Sequence, residues 1–211
     1  MKKTPSLVDG LIRGPLAPFF KARGFARRAG TWNRERSGFV DVVNIQASRW
    51  NESGKVEDLT INVGVFMPAV FELCWGKAAP AFVKEEDCTV RARIGDLLEE
   101  ENRPHQDRWW RMTPETSAAD LGADLSCLLE VNVLPFLESI DSLRDLERAL
   151  STGTGWQAGT PLNRLYLAIT RSRLGDSSGA EAILRGFGKE GGGAWLPRVR
   201  EVSNRVGVRL D

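Results

Sequence analysis

The sequence has few of the residues that usually carry enzyme chemistry or covalent cross-links. Its 211 residues include one histidine, one tyrosine and three cysteines. The cysteines, Cys74, Cys88 and Cys127, are odd in number and form no C-x-x-C pair, which argues against a disulfide framework and a zinc ribbon. We therefore expect three free thiols in a reducing compartment, which makes a cytoplasmic protein the simplest interpretation.

Long apolar runs are also missing. No stretch approaches the roughly 20 apolar residues that a membrane-spanning helix requires. The basic start, Met1 to Lys3, is followed by a segment that charged residues and glycines interrupt, so we expect no signal peptide. The sequence predicts a soluble protein without a membrane partner.

Motifs for cofactors, metals and catalysis are not found either. There is no P-loop, and no G-x-G-x-x-G follows a strand and opens a helix. The single histidine, His105, lies in a polar loop without a nucleophile signature. The carboxylate runs 85–87 and 99–101 have the ligand type for magnesium, but solvated charge is the simpler interpretation. We expect no cofactor, no metal site and no catalytic residue.

What is present is an ordinary globular composition, with 42% hydrophobic and 27% charged residues. The net charge of +1 hides an uneven distribution. Residues 1–50 hold ten Lys and Arg against three Asp and Glu, residues 51–150 hold ten against twenty, and residues 151–211 hold nine against five. Because the N-terminal basic residues form no dense run, nucleic-acid binding is not favoured, whereas partner-facing surfaces fit this distribution.

Strand patterns come first along the chain and helix patterns follow, which predicts an α+β domain: an antiparallel sheet of about five strands flanked by helices. A first helix is predicted over 5–23, divided by its prolines and ended by Gly24. Residues 39–50 and 59–67 alternate apolar and polar residues around a hairpin loop at 51–55, so these two strands should pair antiparallel. Further strands are predicted over 25–36, 88–94 and 107–112.

The second half of the sequence has helical periodicity. Helices are predicted over 117–137 and over 142–150, the latter capped by Asp141. Residues 151–159 are rich in Gly and Thr and are typical of a linker. Residues 161–174 and 179–187 resemble one tetratricopeptide helical hairpin. We therefore divide the chain into an α+β domain, 1–150, and a linker with a helical extension, 151–211.

Several short motifs follow one another in order along roughly residues 16–150. They are Gly24-Phe25, Thr31-Trp32-x-Arg34, Val43–Ser48, Thr60–Val65, Arg91-x-Arg93-Ile94-Gly95, Asp107-x-Trp109-Trp110 and Val133–Leu137. In this order they resemble a family of bacterial proteins known as domain of unknown function 4304. The resemblance implies a bacterial domain, with no activity to carry over.

The best candidate site is the polar side of the central hairpin. Amides, hydroxyls and guanidinium groups together bind carboxylates, phosphates or the backbone of another protein. The alternative is a solvent-facing side of a one-sided sheet, which is polar by default. The residues proposed for the site, on the hairpin and on nearby elements, are Asn44, Gln46, Ser48, Arg49, Asn62, Arg91 and Arg93.

Trp109 and Trp110 are the second candidate. Neighbouring strand residues point to opposite faces, so one indole belongs to the core and the other is available to a partner. An exposed Trp109 between Arg108 and Arg111 would suit a protein interface, where Trp and Arg are over-represented. Packing of both indoles in the core is the alternative.

The sequence does not define a reaction, and two functions are carried forward. The first is a non-catalytic module that binds another protein, with immunity proteins against bacterial toxins as an analogy. The second is a small-molecule or anion-binding protein, or a small enzyme, that uses the polar strand face and its arginines. A deep cavity lined by Gln46, Asn62 and Arg91 or Arg93 would favour the second function.

Overall fold

The structure, a computed structural model, describes residues 5–98, 107–153, 159–187 and 193–210. An antiparallel sheet is flanked by helices and followed by a helical C-terminal region. The predicted α+β fold is confirmed.

Two short helices begin the described chain, α1 (Leu7–Arg13) and α2 (Leu16–Ala22). They are separated at Gly14 and Pro15, as the prolines of this segment predict. Ser6 caps α1 by accepting a hydrogen bond from the Asp9 N–H at 3.1 Å. Gly24, with a φ of +79°, follows α2 in the left-handed conformation that glycine adopts without steric cost.

The N-terminus of α1 is fixed to the sheet by Glu57. This buried carboxylate accepts hydrogen bonds from the Ser6 hydroxyl at 2.5 Å and from the N–H groups of Leu7, Val8 and Gly54 at 3.0, 3.1 and 2.8 Å. Burial alone would raise the pKa of the Glu57 carboxyl, but these hydrogen bonds together outweigh burial and lower that pKa.

The sheet has strand order β1-β2-β3-β4-β5, and β6 also pairs with β4. All pairings are antiparallel. β5 and β6 share one edge of β4, where β5 pairs with residues 62–65 and β6 with residues 57–59. The central strand β4 is therefore paired on both edges. The strands are β1 (Ala26–Arg28), β2 (Thr31–Arg36), β3 (Phe39–Ala47), β4 (Glu57–Phe66), β5 (Val90–Arg93) and β6 (Trp110–Met112).

The two faces of the sheet are covered differently. One face, with Val43, Ile61 and Val63, packs against the helices in the main hydrophobic core. On the other face, Val42 and Phe66 form a small second cluster with side chains from residues 71–88. The rest of that second face carries polar side chains.

The helices between the sheet and the C-terminal region are α3 (Pro68–Trp75), α4 (Ile94–Leu97), α5 (Ala118–Leu128), α6 (Leu134–Glu138) and α7 (Leu143–Thr152). A π-helical turn over Leu129–Val133 joins α5 to α6, with the Leu134 N–H bonded to the Leu129 carbonyl. The chain thus stays helical past Pro135, because the wider turn tolerates a residue without an N–H donor. The cap of α7 is Ser142, which accepts from the Asp145 N–H, and the prediction of Asp141 was wrong.

A buried ion cluster ties α6 to the sheet. Asp41, on β3, is fully buried and bonds the guanidinium groups of Arg34 and Arg36 on β2. Arg36 also donates to the carbonyls of Leu137 and Ile140, at 2.8 and 2.9 Å. Since these carbonyls lie at the C-terminal end of α6, the cation is favourably placed against the helix dipole.

The C-terminal region contains α8 (Pro161–Arg173), α9 (Ser177–Gly186) and α10 (Leu196–Val206). The first two form the expected hairpin, whereas α10 was not predicted. Leu165, Ile169 and Leu184 are buried in the same core as the sheet, and Ile183 packs against it. The Trp75 indole N–H donates to the Tyr166 hydroxyl at 3.2 Å. Most of the linker predicted at 151–159 lies outside the described residues, and residues 151–152 belong to α7.

Two arginines of α10 dock on the C-terminal end of α3. Arg205 donates to the carbonyls of Leu73 and Cys74, both at 3.1 Å, and Arg198 donates to Cys74 at 3.4 Å. Gly76 ends α3 with a φ of +65°, and the Arg205 guanidinium occupies the space where a side chain at position 76 would lie.

Candidate functional site

The polar half of the second sheet face brings together most of the residues proposed from the sequence. Thr31, Asn44, Asn62 and Arg93 oppose one another directly across β2, β3, β4 and β5. Gln46 lies beside this row, opposite Thr60. We call this set, with Gln46, the polar face. The alternation of apolar and polar residues predicted that these side chains share a face, because the register of a hairpin follows its apolar pattern.

The amides of the polar face bond to one another. Asn62 Nδ2 donates to Gln46 Oε1 at 2.7 Å and to Asn44 Oδ1 at 3.4 Å. Asn44 Nδ2 in turn donates to Thr31 Oγ1 at 2.9 Å. Gln46 and Asn62 are thus diagonal neighbours, since the residues directly opposite them are Thr60 and Asn44. Much of the hydrogen-bonding capacity of these amides is used inside the chain.

The arginines of this face are engaged by carboxylates of the same chain. Arg91 makes two hydrogen bonds to Glu85, at 2.6 and 2.9 Å, and both side chains are largely buried. Arg93 is paired with Asp107. Such paired guanidinium groups are not free to receive an anionic ligand without first losing their partners. No local pattern predicts these pairings, because Glu85 and Asp107 belong to segments other than the strand that carries the arginines.

Exposure divides the polar face into a covered part and an accessible part. Asn62 is 5% exposed and Thr60 is fully buried, with the Thr60 hydroxyl donating to the Arg108 carbonyl at 2.7 Å. Gln46 is exposed to solvent. A partner can therefore reach Gln46, whereas Asn62 mainly supports the sheet.

Ser48 and Arg49 were expected on strand β3, but the strand ends at Ala47 and both residues lie in the following loop. The chain leaves the strand because Ser48 Oγ accepts from the Trp50 N–H at 3.2 Å and forms a local turn. The Arg49 guanidinium lies 4.7 Å from the centre of the Trp50 ring. Arg49 therefore belongs to a different surface from the polar face.

Trp50 is the functional candidate that the sequence pattern missed. Its side chain is 79% exposed, which is unusual for a large aromatic residue. The loop that holds it is fixed, since the side chain of the next residue, Asn51, bonds both backbone groups of Asp58 at 3.0 and 2.8 Å. The alternation predicted Trp50 as the last residue of the strand over 39–50, whereas β3 ends at Ala47 and Trp50 lies in the loop that follows.

Trp109 and Trp110, at the start of β6, differ in their surroundings. Trp109 is 39% exposed, whereas Trp110 is half-buried and packs against the main core. Arg111 beside them makes two hydrogen bonds to Asp58, at 2.9 and 3.2 Å, and this guanidinium lowers the pKa of the Asp58 carboxyl. We call the exposed residues Arg49, Trp50 and Val56 of the β3–β4 loop the tryptophan surface.

Arginines also line the free edge of the sheet, on β1. The guanidinium of Arg27 lies 5.5 Å from the centre of the Trp32 ring, and that of Arg28 lies 4.9 Å from the centre of the Phe82 ring. Within the described ranges, neither has a carboxylate partner. All three residues of β1 are exposed.

The catalytic and metal candidates do not come together in the described part of the chain. His105 and residues 99–101 lie outside it, and Glu85 of the other carboxylate run is paired with Arg91. No group of three or more His, Cys, Asp or Glu residues there has the geometry to hold a metal ion. Burial raises the pKa of the Cys74 thiol to about 12 and also raises that of Cys88, so neither forms the thiolate needed for nucleophilic attack.

Two of the open cavities lined by described residues lie elsewhere. One, of about 310 Å³, lies between the β2–β3 hairpin and residues 79–83 and includes Glu35 and Phe39. The other, of about 210 Å³, lies between α6 and α7. Neither is lined by Gln46, Asn62, Arg91 or Arg93. As to membranes, each helix in the described ranges is too short or too polar to cross a bilayer.

The fold and these surfaces define an α+β domain with a partly uncovered antiparallel sheet and a docked helical extension. The chain belongs to the family described as domain of unknown function (DUF4304), whose model matches residues 16–139. The match ends at the C-terminus of α6, so helices α7 to α10 lie beyond it. No curated protein and no solved structure matches the chain.

Proposed function

We propose that this chain is a non-catalytic protein-interaction module that binds its partner through the tryptophan surface. The observation that carries the proposal is Trp50, which is 79% exposed on a hydrogen-bonded loop and lies beside the Arg49 guanidinium. Trp and Arg are the residues most enriched at the energetic centres of protein interfaces. A large indole held in water on a fixed loop is ready for burial by a partner at little entropic cost.

The second candidate, a small-molecule or anion-binding protein or small enzyme that uses the polar face, has weaker support. Arg91 and Arg93 are paired with Glu85 and Asp107, and Asn62 is buried among amide partners. A ligand would have to displace these bonds. The accessible chemistry therefore favours the module.

Compartment and partner class complete the proposal. Three free thiols, two of them buried, fit a reducing compartment, and we propose that the protein works in the cytoplasm of a bacterium. By analogy with other small α+β families, one form of the module is an immunity-like protein that neutralises a toxin.

The proposal is tested with the purified full chain as bait in extracts of its host. Wild type and a Val131→Ala variant should retain the same saturable protein partner, because Val131 is 64% exposed on a different surface. Trp50→Ala should weaken this binding by about tenfold or more, as expected for an interface centre. Equal binding by Trp50→Ala, or the absence of any saturable protein partner, would contradict the proposal.

A further inference from the structure

Three arginines without a carboxylate partner among the described residues lie towards one end of the sheet. The β1–β2 turn and the β3–β4 loop lie at this end, where the Ile45 N–H donates to the Gly30 carbonyl at 2.9 Å. Arg27, Arg28 and Arg49 contact only aromatic rings and a backbone carbonyl, and none has a carboxylate partner among residues that the structure describes.

The described carboxylates of the β3–β4 loop and the start of β4 are already engaged. Glu52 pairs with Lys55 at 3.1 Å, Asp58 pairs with Arg111, and Glu57 is buried with four donors. Glu35, a carboxylate without a partner in the described ranges, lies four residues beyond Thr31 on β2, roughly 13 Å along the strand. The arginines therefore give this end a positive potential that attracts anionic groups.

The strand that carries two of these arginines also has a free edge. β1 pairs with β2 alone among the described strands, so its outer N–H and C=O groups are open for another strand. Antiparallel pairing of two copies of β1 would bring arginines against arginines, which is unfavourable. An incoming strand with acidic residues would meet opposite charge instead.

We propose that the β1 edge receives an extended acidic segment of the partner protein as an added strand, with its carboxylates on Arg27 and Arg28. This inference rests on the proposed interaction function and names the chemistry of the partner. Arg27 and Arg28 point to opposite faces of the sheet, so neighbouring acidic residues of the segment each meet one guanidinium. Since β3 lies two strand spacings from β1, about 10 Å away, the same partner reaches Arg49 and Trp50.

The probe is a fluorescein-labelled peptide of three Glu-Glu-Thr-Val repeats, titrated against the full chain by fluorescence anisotropy. It should bind saturably and more weakly as salt is raised. A peptide with Gln for Glu, and one N-methylated at alternate amides, should each bind at least about tenfold more weakly, because charge or backbone pairing is lost.

Matched variants of the chain locate the site. The double variant Arg27→Gln/Arg28→Gln should bind the acidic peptide about tenfold more weakly, and Arg27→Lys/Arg28→Lys, which keeps the charge, should retain most of the affinity. Arg200→Gln removes an exposed arginine of α10 and should have no effect. Circular dichroism of each variant shows whether the fold is intact.

Four results would overturn the inference: no saturable binding up to about 1 mM peptide, equal binding of the Gln peptide, no effect of N-methylation, or no effect of Arg27→Gln/Arg28→Gln. Tighter binding of a labelled 12-mer oligothymidylate would overturn it in favour of nucleic acid. If partner capture still depends on Trp50 in any of the first four cases, the interaction function stands and only the acidic strand is wrong.

Discussion

Asn62 is the residue on which the polar face depends. It lies on the doubly paired strand β4, is 5% exposed, and its amide joins β3 to β4 through Gln46 and Asn44. A buried amide group without a partner costs free energy, whereas a satisfied one contributes modestly to stability. The arrangement therefore makes Asn62 a supporting residue and leaves Gln46 as the accessible one.

We expect Asn62→Ala to lower the free energy of unfolding by about 1–3 kcal/mol, because it removes a buried side chain together with its hydrogen bonds to Gln46 and Asn44. Gln46→Ala removes an exposed side chain and leaves Asn44 Oδ1 as an acceptor for the Asn62 amide, so it should cost less than about 1 kcal/mol. Chemical denaturation of both variants measures the difference. Equal costs would mean that solvent reaches the two amides equally, which contradicts the burial described above.

For single residues, the sequence predicted the sheet face on which a side chain lies better than it predicted the residue to which that side chain bonds. The period-2 alternation of a strand was enough to put Asn44, Gln46 and Asn62 on one face. The carboxylates that bond Arg91 and Arg93 come from segments whose approach is a tertiary event, so no local pattern predicts them. Trp50 was missed because the predicted strand ran to residue 50, whereas a local turn ends β3 at Ala47 and leaves Trp50 in a loop.

Among the elements, α1 depends most on a single distant group. Glu57 accepts hydrogen bonds from the Ser6 hydroxyl and from the N–H groups of Leu7 and Val8. Its negative charge therefore lies at the positive end of the helix dipole. The folded pKa of this carboxyl is below its ordinary value of 4.5. Its contribution to stability is therefore complete above about pH 4.5 and is lost as the pH falls through the lower folded pKa.

We expect Glu57→Gln to lower the free energy of unfolding at pH 7 by about 2 kcal/mol, because charge-assisted hydrogen bonds to a buried group are lost. The variant should also lose less stability than the wild type when the pH is lowered below 4.5. Urea denaturation from pH 7 to pH 3 measures both effects.

The matched control is Glu52→Gln, which removes an exposed carboxylate of the preceding loop. It should change the unfolding free energy by less than about 1 kcal/mol, as exposed ion pairs do. If Glu57→Gln and the wild type had parallel pH profiles, Glu57 would not be the group that titrates on folding.

Element boundaries were predicted less well than element types. Ser142 and Asp141 are both residue types that favour the N-cap position. In the structure the N-cap of α7 is Ser142. The helix predicted over 117–137 is divided by a π-helical turn over 129–133, and Pro135 lies in the first turn of the helix that follows. Strand β3 ends three residues early because Ser48 starts a local turn.

In the whole molecule, the helical extension and the sheet share one hydrophobic core. Leu165, Ile169 and Leu184 are buried with the apolar face of the sheet. Arg198 and Arg205 add charge at the C-terminal end of α3, where cations are favourable. The sequence predicted the α8–α9 hairpin from its periodicity, but it did not predict α10 or the contacts of Arg198 and Arg205 with α3.

We expect the double variant Arg198→Ala/Arg205→Ala to lower the free energy of unfolding by about 1–3 kcal/mol, because the α3 carbonyls lose their donors. Arg200→Ala, on the same helix but without a partner in the described part of the chain, is the control and should change it by less than about 0.5 kcal/mol. Thermal and urea denaturation of the three proteins compare the costs. Equal stability of the double variant and the control would show that apolar packing alone holds α10.

The contact between Arg205 and the end of α3 also limits how position 76 can evolve. Asparagine is the usual substitute for glycine in a left-handed helix end, and its backbone would suit the φ of +65° at Gly76. Its side chain would nevertheless enter the space of the Arg205 guanidinium and displace it from the carbonyls of Leu73 and Cys74. In a relative without α10, no Arg205 guanidinium would occupy the space beside position 76. We therefore expect glycine at this position in relatives that also have the C-terminal helix.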